Sequence, residues 1–295
     1  MSNFFEDYVN NFDKNVLKTG VGPLDEKCNL LVGTSNGFVG PPGCGKTSLA
    51  LQILNYNSLH NINSIFFSFD MYHSLLYTKM CQRHTGLGMR ELYKRFREDS
   101  QFKQECVNLI HENYENVDFC FKNGLSVEDL DLAIRKREEK IDEKVKLVIV
   151  DYNELLVSRH SDSTAASAEI IQKLRQLANE RQVCLITLLQ PYKMVSNPAE
   201  PITSFNAAKG SGAIAQSVTL MLGFSRPGYN PQDMSQDKYF NITCLKNRMG
   251  PLFSVDLGWN GLRGELSELD STQQLQLKQF LQERAEKDKR GFGVQ

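Results

Sequence analysis

The chain has 295 residues, of which 41% are hydrophobic and 23% are charged, and these proportions are typical of an ordinary folded globular protein. The longest clear apolar run, residues 183–189, is much shorter than the roughly 20 residues needed to cross a bilayer, so we expect no membrane-spanning segment. A formal net charge of -1 excludes a uniformly basic protein that coats nucleic acid, but it allows contact through a few loops.

The N-terminus and the cysteines both favour the cytosol. Residues 1–14 are acidic and polar, unlike the basic and then apolar start of a secretory signal. The seven cysteines are odd in number, scattered and never spaced as C-x-x-C, so we expect buried reduced thiols and neither disulfides nor zinc. We therefore expect a cytoplasmic protein, or one in the cytoplasm of the host cell if the gene is viral.

Short β-rich runs alternate with helical patterns along most of the chain. Helical patterns cover residues 47–60, 73–85 and 167–182, and in the last of these Ile170 and Leu174 share one face. The predicted strands are 35–40, 64–69, 117–121, 146–150, 183–189 and 218–224. This alternation predicts an α/β fold with a mainly parallel sheet that is covered by helices on both faces.

The pattern changes after residue 224. Two strand-like runs, residues 238–247 and 251–257, are divided by NRMG and predict an antiparallel hairpin at the edge of the sheet. Residues 273–290 predict a polar helix that ends near Gly291, and its composition favours a solvated helix over an interaction surface.

GPPGCGKT, residues 40–47, fits the phosphate-binding pattern G-x-x-x-x-G-K-[ST] between a predicted strand and a predicted helix. Glycines allow backbone N–H groups to turn toward phosphates, Lys46 supplies a positive charge and Thr47 supplies a hydroxyl ligand for Mg²⁺. This predicts ATP and Mg²⁺ as cofactors. The residues predicted to hold the nucleotide are Gly40, Pro41, Pro42, Gly43, Cys44, Gly45, Lys46, Thr47 and Ser48.

Two aspartates follow predicted strands and are candidates for chemistry on the bound phosphates. Asp151 ends the apolar strand KLVIV and can hold the metal together with Thr47, in a Walker B arrangement. Asp70 ends SIFFSF, and because the carboxyl ends of parallel strands line the ligand crevice, it can orient an attacking water. The alternative for Asp70 is an N-cap of the following helix, and both roles are compatible.

Further motifs accompany the P-loop in a characteristic order: LKTGVGPLDEKCN (17–29), FFSFDM (66–71), VIVDYNELL (148–156), LRQLANERQVCLITLLQ (174–190), KGSGAIAQ (209–216) and CLKNRMGP (244–251). Together they resemble the ATPase domain of DnaB-like replicative helicases, a family with the RecA-like P-loop fold. The resemblance covers about residues 15–260, nearly the whole chain.

The resemblance implies roles for residues that their own spacing does not determine. It implies a hexameric ring on single-stranded DNA, 5′-to-3′ translocation and ATP bound between neighbouring subunits. Asp70 then polarises the hydrolytic water and Gln190 senses the γ-phosphate. Lys246 and Arg248 reach the neighbouring subunit's nucleotide, with Arg248 as the arginine finger; an exposed basic hairpin is the plainer alternative for this pair.

DNA contacts are expected on loops that face the ring's channel. The matching positions in KGSGAIAQ are Lys209, Gly210 and Gly212, where a lysine charge and open backbone amides suit a phosphate. Arg159 and Lys193 are weaker candidates, since charged residues in polar loops are usually only solvated.

The chain departs from the family pattern at several points. Asp70 stands where the family has glutamate, and Gly210 and Ala215 stand where acidic residues are usual. Residues 1–14 leave no room for the N-terminal module that family members use for primase contact, so we expect a motor without it, of viral or mobile-element origin.

The expected organisation is an N-terminal extension (1–14) that forms an inter-subunit helix, a RecA-like ATPase domain (15–262) and a C-terminal helical tail (263–295). The expected function is that of an ATP-dependent replicative DNA helicase, with a primase or a helicase loader as further partners. Two alternatives stay open: a RecA-like recombination or strand-annealing ATPase, and a regulatory RecA-like ATPase that acts on a protein partner.

Overall fold

The computed structural model describes residues 6, 9–151, 156–158, 163–191, 197–204 and 216–291. Within these ranges, six strands of the main sheet are parallel: β3 (Ser35–Val39), β4 (Ser64–Ser68), β5 (Val117–Cys120), β6 (Leu147–Asp151), β7 (Cys184–Leu189) and β8 (Leu220–Ser225). They lie side by side in the order β8-β3-β7-β6-β4-β5. Two short strands, β1 (Val16–Leu17) and β2 (Leu30–Leu31), form a separate antiparallel pair.

Helices connect these strands. Those in the described ranges are α1 (Gly22–Asp25), α2 (Lys46–Leu59), α3 (His73–Thr85), α4 (Met89–Glu98), α5 (Ser100–Tyr114), α6 (Val127–Ile141), α7 (Ser163–Arg181) and α8 (Ser271–Gly291). Short 3-10 turns occupy Asp13–Asn15 and Met234–Gln236.

Both faces of the sheet are covered, as strand β4 illustrates. Phe66 points into a core that includes Leu49 of α2 and Leu76 of α3, whereas its neighbour Phe67 points into a second core with Ile134 of α6 and Leu174 of α7. Each such fully buried side chain stabilises the fold by about 1.5–3 kcal/mol. The prediction of a mainly parallel sheet with helices on both faces is confirmed.

The predicted hairpin at the edge of the sheet is also confirmed. Strand β9 (Tyr239–Asn247) pairs antiparallel with β8, and β10 (Ser254–Asn260) pairs antiparallel with β9. The second strand begins three residues later than the predicted start at 251. A third strand, β11 (Glu265–Ser267), completes the edge and was not predicted, because three residues are too few for a periodic pattern.

The C-terminal helix α8 ends at Gly291 as predicted, but it is more than a solvated helix. Leu277 is only 4% exposed and forms a small apolar cluster with Tyr239 and Leu269. Phe280 packs against this cluster. The expectation of a purely solvated tail is therefore wrong, because one face of α8 is docked on the hairpin.

Within the described residues, no helix is both long enough and apolar enough to span a bilayer. All seven cysteines are free, and all except the partly exposed Cys120 are buried, as the scattered spacing predicted. Burial raises the pKa of the Cys28 and Cys184 thiols to about 12, so both stay protonated.

Candidate nucleotide-binding site

The glycine-rich loop lies between the end of β3 and the start of α2, at the carboxyl end of the parallel strands. Gly43 and Gly45 have φ angles of +75° and +105°, a backbone region that residues with a Cβ rarely adopt. A Cβ on Gly45 would lie 2.7 Å from the Phe240 ring of β9. Glycine is therefore required where the loop turns into the helix.

The loop residues divide into those that face a cleft and those that support it. Gly40, Pro41 and Cys44 do not line the cleft: the N–H of Cys44 donates to Pro41 O at 3.2 Å and its thiol is fully buried beneath the loop. The predicted nucleotide-binding residues that line the cleft, which has a volume of about 350 Å³, are Pro42, Gly43, Gly45, Lys46, Thr47 and Ser48.

Lys46 lies across the mouth of the loop. Its Nζ donates to the carbonyl oxygens of Gly40 at 2.6 Å and Pro41 at 3.1 Å. These contacts hold a positive charge next to the first turn of α2, where the backbone N–H groups and the helix dipole also favour anions. A Cβ on Gly43 would meet nothing within 4 Å, so the space over the loop is open for a phosphate chain.

Thr47 and Asp151 meet in the cleft, although they are far apart in the sequence. Thr47 Oγ1 donates to Asp151 Oδ2 at 2.8 Å. A hydroxyl and a carboxylate are the hard oxygen ligands that Mg²⁺ prefers, so this pair fits a metal bound beside phosphates. Among the described residues, no group of three or more His, Cys, Asp or Glu forms a separate metal site.

Burial raises the pKa of Asp151 from 3.8 to about 6, and the negative charge of Asp70 acts in the same direction. The hydrogen bond from Thr47 and the charges of Lys46 and Lys79 oppose this shift. The carboxylate is therefore held in a dry site at a cost to the folded state, an arrangement common at functional positions.

This shift predicts that Asp151→Asn stabilises the protein without nucleotide or metal. With a folded-state pKa of about 6 against 3.8, the contribution of Asp151 to stability is complete below pH 3.8 and is lost as the pH rises through about 6. Asparagine mimics the protonated form. We expect a gain in unfolding free energy of about 3 kcal/mol at pH 8, falling to about half of that at pH 5.

Thermal or urea unfolding at the two pH values measures this gain. Glu139→Gln, which neutralises an exposed carboxylate on α6, is the matched control. An Asp151→Asn protein that is no more stable than the control at pH 8 would contradict the assignment of a strained, buried carboxylate.

Asp70 follows β4 and lines the same cleft as Asp151. The two strand ends are joined directly, because the N–H of Phe69 donates to Asp151 O at 2.7 Å. The N-cap of α3 is Tyr72, and no side chain caps that helix. The alternative role of Asp70 as an N-cap is therefore wrong, because its exposed carboxylate does not cap α3.

Gln190 follows β7 and also lines the cleft. Because β7 lies between β3 and β6, this half-buried amide comes between the P-loop and Asp151. The ends of β4, β6 and β7 thus bring Asp70, Asp151 and Gln190 to one cleft, as expected for the carboxyl ends of a parallel sheet.

The cleft also contains cationic and aromatic residues that the sequence analysis missed. Lys79 on α3 lines it, and burial lowers the pKa of its ammonium while Asp151 opposes that shift. Arg226 pairs with Asp237 at 3.2 Å, and its guanidinium carbon lies 5.4 Å from the centre of the Trp259 ring. A guanidinium and an indole ring are flat surfaces of the kind that stack on a nucleobase.

The far wall of the cleft is the turn between β10 and β11. Arg83 Nη1 donates to Gly264 O at 2.9 Å, and Arg263 Nη1 donates to Arg83 O at 3.0 Å. These two reciprocal bonds fasten α3 to the turn. Arg83 and Arg263 also add two positive charges to a cleft that already contains Lys46 and Lys79. This concentration of positive charge suits a polyanionic ligand.

Lys246 and Arg248 lie toward the amino ends of the parallel strands, whereas the P-loop lies at their carboxyl ends. Met221 pairs with both Gly37 and Lys246, and β9 runs away from the P-loop, so Arg248 lies beyond the amino ends of the parallel strands. Arg248 is exposed and donates to Gln216 O at 2.8 Å. Neither residue lines the cleft of its own chain.

Lys246 is half-buried next to Arg248. Its Nζ donates to Val218 O at 2.7 Å. Burial lowers the pKa of Lys246, and the nearby charges of Arg248 and Arg175 add to the effect. The remaining predicted contacts, Arg159, Lys193, Lys209, Gly210 and Gly212, lie outside the described residues.

A P-loop between a strand and a helix, a carboxylate on a neighbouring strand and a parallel sheet closed by an antiparallel hairpin define a RecA-like P-loop NTPase. The chain belongs to the family of the DnaB-like helicase C terminal domain, whose sequence profile matches residues 17–267.

The chain is also similar in sequence to curated proteins that are named replicative DNA helicases. The chain is 24% identical over 260 residues to a probable plasmid replicative DNA helicase of Chlamydia muridarum (strain MoPn / Nigg), a match that covers 86% of this chain and 55% of that protein. It is 25% identical over 199 residues to the replicative DNA helicase DnaB of Helicobacter pylori (strain ATCC 700392 / 26695), covering 66% of this chain and 40% of that protein. The chain thus spans about half the length of the relatives it matches.

Two solved structures have the same fold. One is a DnaB-like replicative helicase described together with its interactions with primase, with a TM-score of 0.78 at 20% identity, covering 90% of this chain and 65% of that one. The other is the ATPase domain of the protein G40P, with a TM-score of 0.76 at 19% identity, covering 90% of this chain and 96% of that one.

Proposed function

We propose that the protein is an ATP-dependent replicative DNA helicase that encircles single-stranded DNA as a ring, translocates 5′ to 3′ and hydrolyses ATP at the seams between subunits. One observation carries this proposal above the others. The P-loop, Asp70, Asp151 and Gln190 line one cleft at the carboxyl ends of the parallel strands, whereas Arg248 lies at the amino end of β8. A cation in that position can serve a nucleotide only on a neighbouring subunit.

The cleft residues divide the work of hydrolysis. Lys46 and the backbone N–H groups at the start of α2 would bind the phosphates of ATP, and Thr47 and Asp151 would hold Mg²⁺. The metal, when bound, neutralises charge on the phosphate oxygens. Asp70 would accept a proton from, or orient, the attacking water, and Gln190 would sense whether the γ-phosphate is present. Lys79 adds a further positive charge facing the same end of the cleft.

Asp70→Asn is expected to lower ATP turnover by about 10²-fold or more, because an amide cannot accept a proton from water. Asp70→Glu restores the residue type usual in the family and is expected to keep turnover at or above the wild-type level. Steady-state phosphate release measures both. Near-normal turnover in Asp70→Asn would remove Asp70 from the catalytic group.

DNA binding is proposed for the loops that follow β6 and β7. Arg159, Lys193, Lys209, Gly210 and Gly212 would contact the phosphate backbone without reading bases, as a motor that moves along any sequence requires. The net charge of -1 is consistent with contact confined to a few such loops.

Assembly of the ring is proposed to use residues 1–14. Helices α3, α4 and α5 enclose an apolar groove of about 730 Å³, whose lining residues Tyr77 and Tyr93 are 40% and 43% exposed. The N-terminal segment carries Phe4, Phe5, Tyr8, Val9 and Phe12 at helical spacing, together with acidic residues.

Helix α4 beside the groove carries four basic residues, Arg90, Lys94, Arg95 and Arg97, which complement that acidic segment. We therefore propose that residues 1–14 of one subunit pack into the groove of its neighbour. A variant that lacks these residues should need a higher protein concentration to assemble, and assembly at the wild-type concentration would contradict this packing.

The proposed partners and compartment follow from the proposed activity. A replicative helicase is loaded on DNA and works beside a primase, so a loader and a primase are the protein partners to test, in the cytoplasm. A DnaB-like relative was solved in a study of its interactions with primase. The plasmid helicase relatives agree with a mobile-element origin.

The decisive experiment measures the ATPase rate with and without single-stranded DNA over a range of protein concentrations, alongside unwinding of a forked duplex. We expect specific activity to rise with concentration as rings form, to rise again with DNA, and to accompany unwinding. Helical filaments with strand exchange would favour a recombination ATPase. A rate that DNA does not change would favour a regulatory ATPase that acts on a protein.

A further inference from the structure

The C-terminal helix α8 makes a contact that the chemistry proposed above does not use. Arg284, half-buried on this helix, donates from Nη1 to Pro227 O at 2.6 Å and, at the longer distance of 3.5 Å, to Ala199 O. The two acceptors belong to loops that are far apart in the sequence. One side chain therefore joins α8 to both loops.

The first of these loops carries a residue of the nucleotide cleft. Pro227 follows Arg226, a residue that lines the cleft. The Arg226 guanidinium pairs with Asp237 and stacks over Tyr229, with its carbon 4.5 Å from the ring centre. Arg226 directly follows the last residue of β8, and the position of its side chain depends on the backbone of the next few residues. Arg284 holds that backbone directly.

The second loop, residues 197–204, is bonded to the first. The N–H of Arg226 donates to Pro198 O at 2.6 Å. Ile202 is 1% exposed and packs on Gly223 of β8 so closely that a Cβ on Gly223 would lie 3.0 Å from Ile202 Cβ. In the chain, this segment follows Gln190 and leads toward Lys209, the first of the DNA contacts proposed in KGSGAIAQ.

Helix α8 provides a firm base for Arg284. Leu277 is buried against Tyr239 at the start of β9, and the Phe280 ring lies 6.2 Å from the Tyr239 ring. The helix would thus stay docked without Arg284, and loss of this guanidinium would detach α8 from the two loops and leave the Arg226 N–H to Pro198 O bond as their hydrogen bond to each other. Its planar set of donors suits two carbonyl acceptors better than a lysine ammonium does.

We propose that Arg284 is a positioning residue that fixes Arg226 and the 197–204 segment relative to each other, so that a movement of the segment alters the nucleotide cleft. The link to DNA rests on the proposed function. The placement of Arg226 by Arg284 does not, and it can be tested without DNA.

Trp259, the only tryptophan, reports on that placement because the Arg226 guanidinium lies over its ring. In Arg284→Gln without DNA, we expect a shifted or altered Trp259 emission and a KM for ATP that rises about threefold or more, with kcat within about twofold of wild type. Lys278→Gln removes an exposed charge of the same sign from the same helix. This control is expected to match wild type in Trp259 emission, KM for ATP and kcat.

A second arm adds a single-stranded oligothymidine. Wild type and Lys278→Gln should be stimulated, Arg284→Gln should lose most of the stimulation, and Arg284→Lys should regain part of it, since one carbonyl stays within reach of an ammonium. Circular dichroism melting checks that each variant is folded.

The possible outcomes separate the two claims. Arg284→Gln with wild-type Trp259 emission, KM and DNA response overturns the positioning role. Wild-type protein that DNA does not stimulate overturns the proposed function and the link to DNA, and the emission and KM of Arg284→Gln then decide the placement of Arg226. A variant that melts earlier but keeps wild-type emission, KM and DNA response shows a purely structural role, which also overturns the proposal.

Discussion

Lys46→Ala is expected to reduce ATP hydrolysis by roughly 10²–10³-fold or more, because the ammonium is the cation fixed over the glycine loop and no other side chain of the loop can replace it. Its contacts to Gly40 O and Pro41 O hold it there. Nucleotide binding should weaken as well, since phosphates lose their nearest positive charge. Phosphate release and a nucleotide titration followed by Trp259 emission measure the two effects.

The loss should not come from unfolding. Lys46 is partly exposed and its truncation removes no side chain from the apolar cores, so the melting temperature should change little. Lys278→Ala, an exposed lysine on α8, is the matched control for the removal of one positive charge. Turnover near the wild-type rate in a folded Lys46→Ala protein would exclude the cleft as the site of hydrolysis.

The sequence predicted the phosphate end of the cleft because its determinants are local. The glycines, Lys46 and Thr47 lie within one strand-loop-helix unit, and each aspartate directly follows an apolar strand. Parallel pairing of β4 with β6 and of β6 with β7 then brings three strand ends together without any further information. Strand and helix periodicity was enough for that part of the fold.

The remaining residues that line the cleft could not be predicted in the same way. Lys79, Arg226, Trp259 and Arg263 come from α3, the loop after β8, the end of β10 and the turn after it. Their meeting depends on the hairpin folding back beside β8, which sequence periodicity does not specify. Lys79 had a weak signal, because its spacing from Leu76, Met80 and Arg83 places it beside the buried face of α3.

Three helices between residues 89 and 141 were missed for different reasons. Helix α4 carries only one buried residue, Leu92, so its apolar pattern is faint. The start of α5 was marked by Asp99, whose carboxylate accepts from the Phe102 N–H at 2.9 Å.

Helix α6 had the clearest signal of the three. Ser126 and Asp129 form a capping box at the start of this helix, whose buried residues are Val127, Leu130 and Ile134. A search for capping residues would therefore have predicted α5 and α6, which hydrophobic periodicity alone did not indicate.

Arg248→Ala is expected to leave ATP binding nearly intact while hydrolysis falls by about 10³–10⁵-fold, the range that an arginine supplied in trans contributes in other NTPases. The expected difference between ATP binding and hydrolysis follows from the position of Arg248. Arg248 is exposed at the amino end of β8, away from the P-loop at the carboxyl ends of the parallel strands, so its loss removes nothing from the cleft that binds ATP in the same chain. Arg248→Lys should also be severely impaired, because an ammonium lacks the planar fork of donors.

A mixture of two inactive proteins tests the trans assignment most sharply. Lys46→Ala subunits keep Arg248, and Arg248→Ala subunits keep the P-loop lysine. In a randomly mixed ring, about a quarter of the seams would combine an intact cleft with an intact neighbouring arginine, so activity should reappear on mixing. Hydrolysis that scales linearly with the concentration of wild-type monomer, or a mixture as inactive as its two components, would remove Arg248 from the neighbour's nucleotide and the ring-coupled mechanism with it.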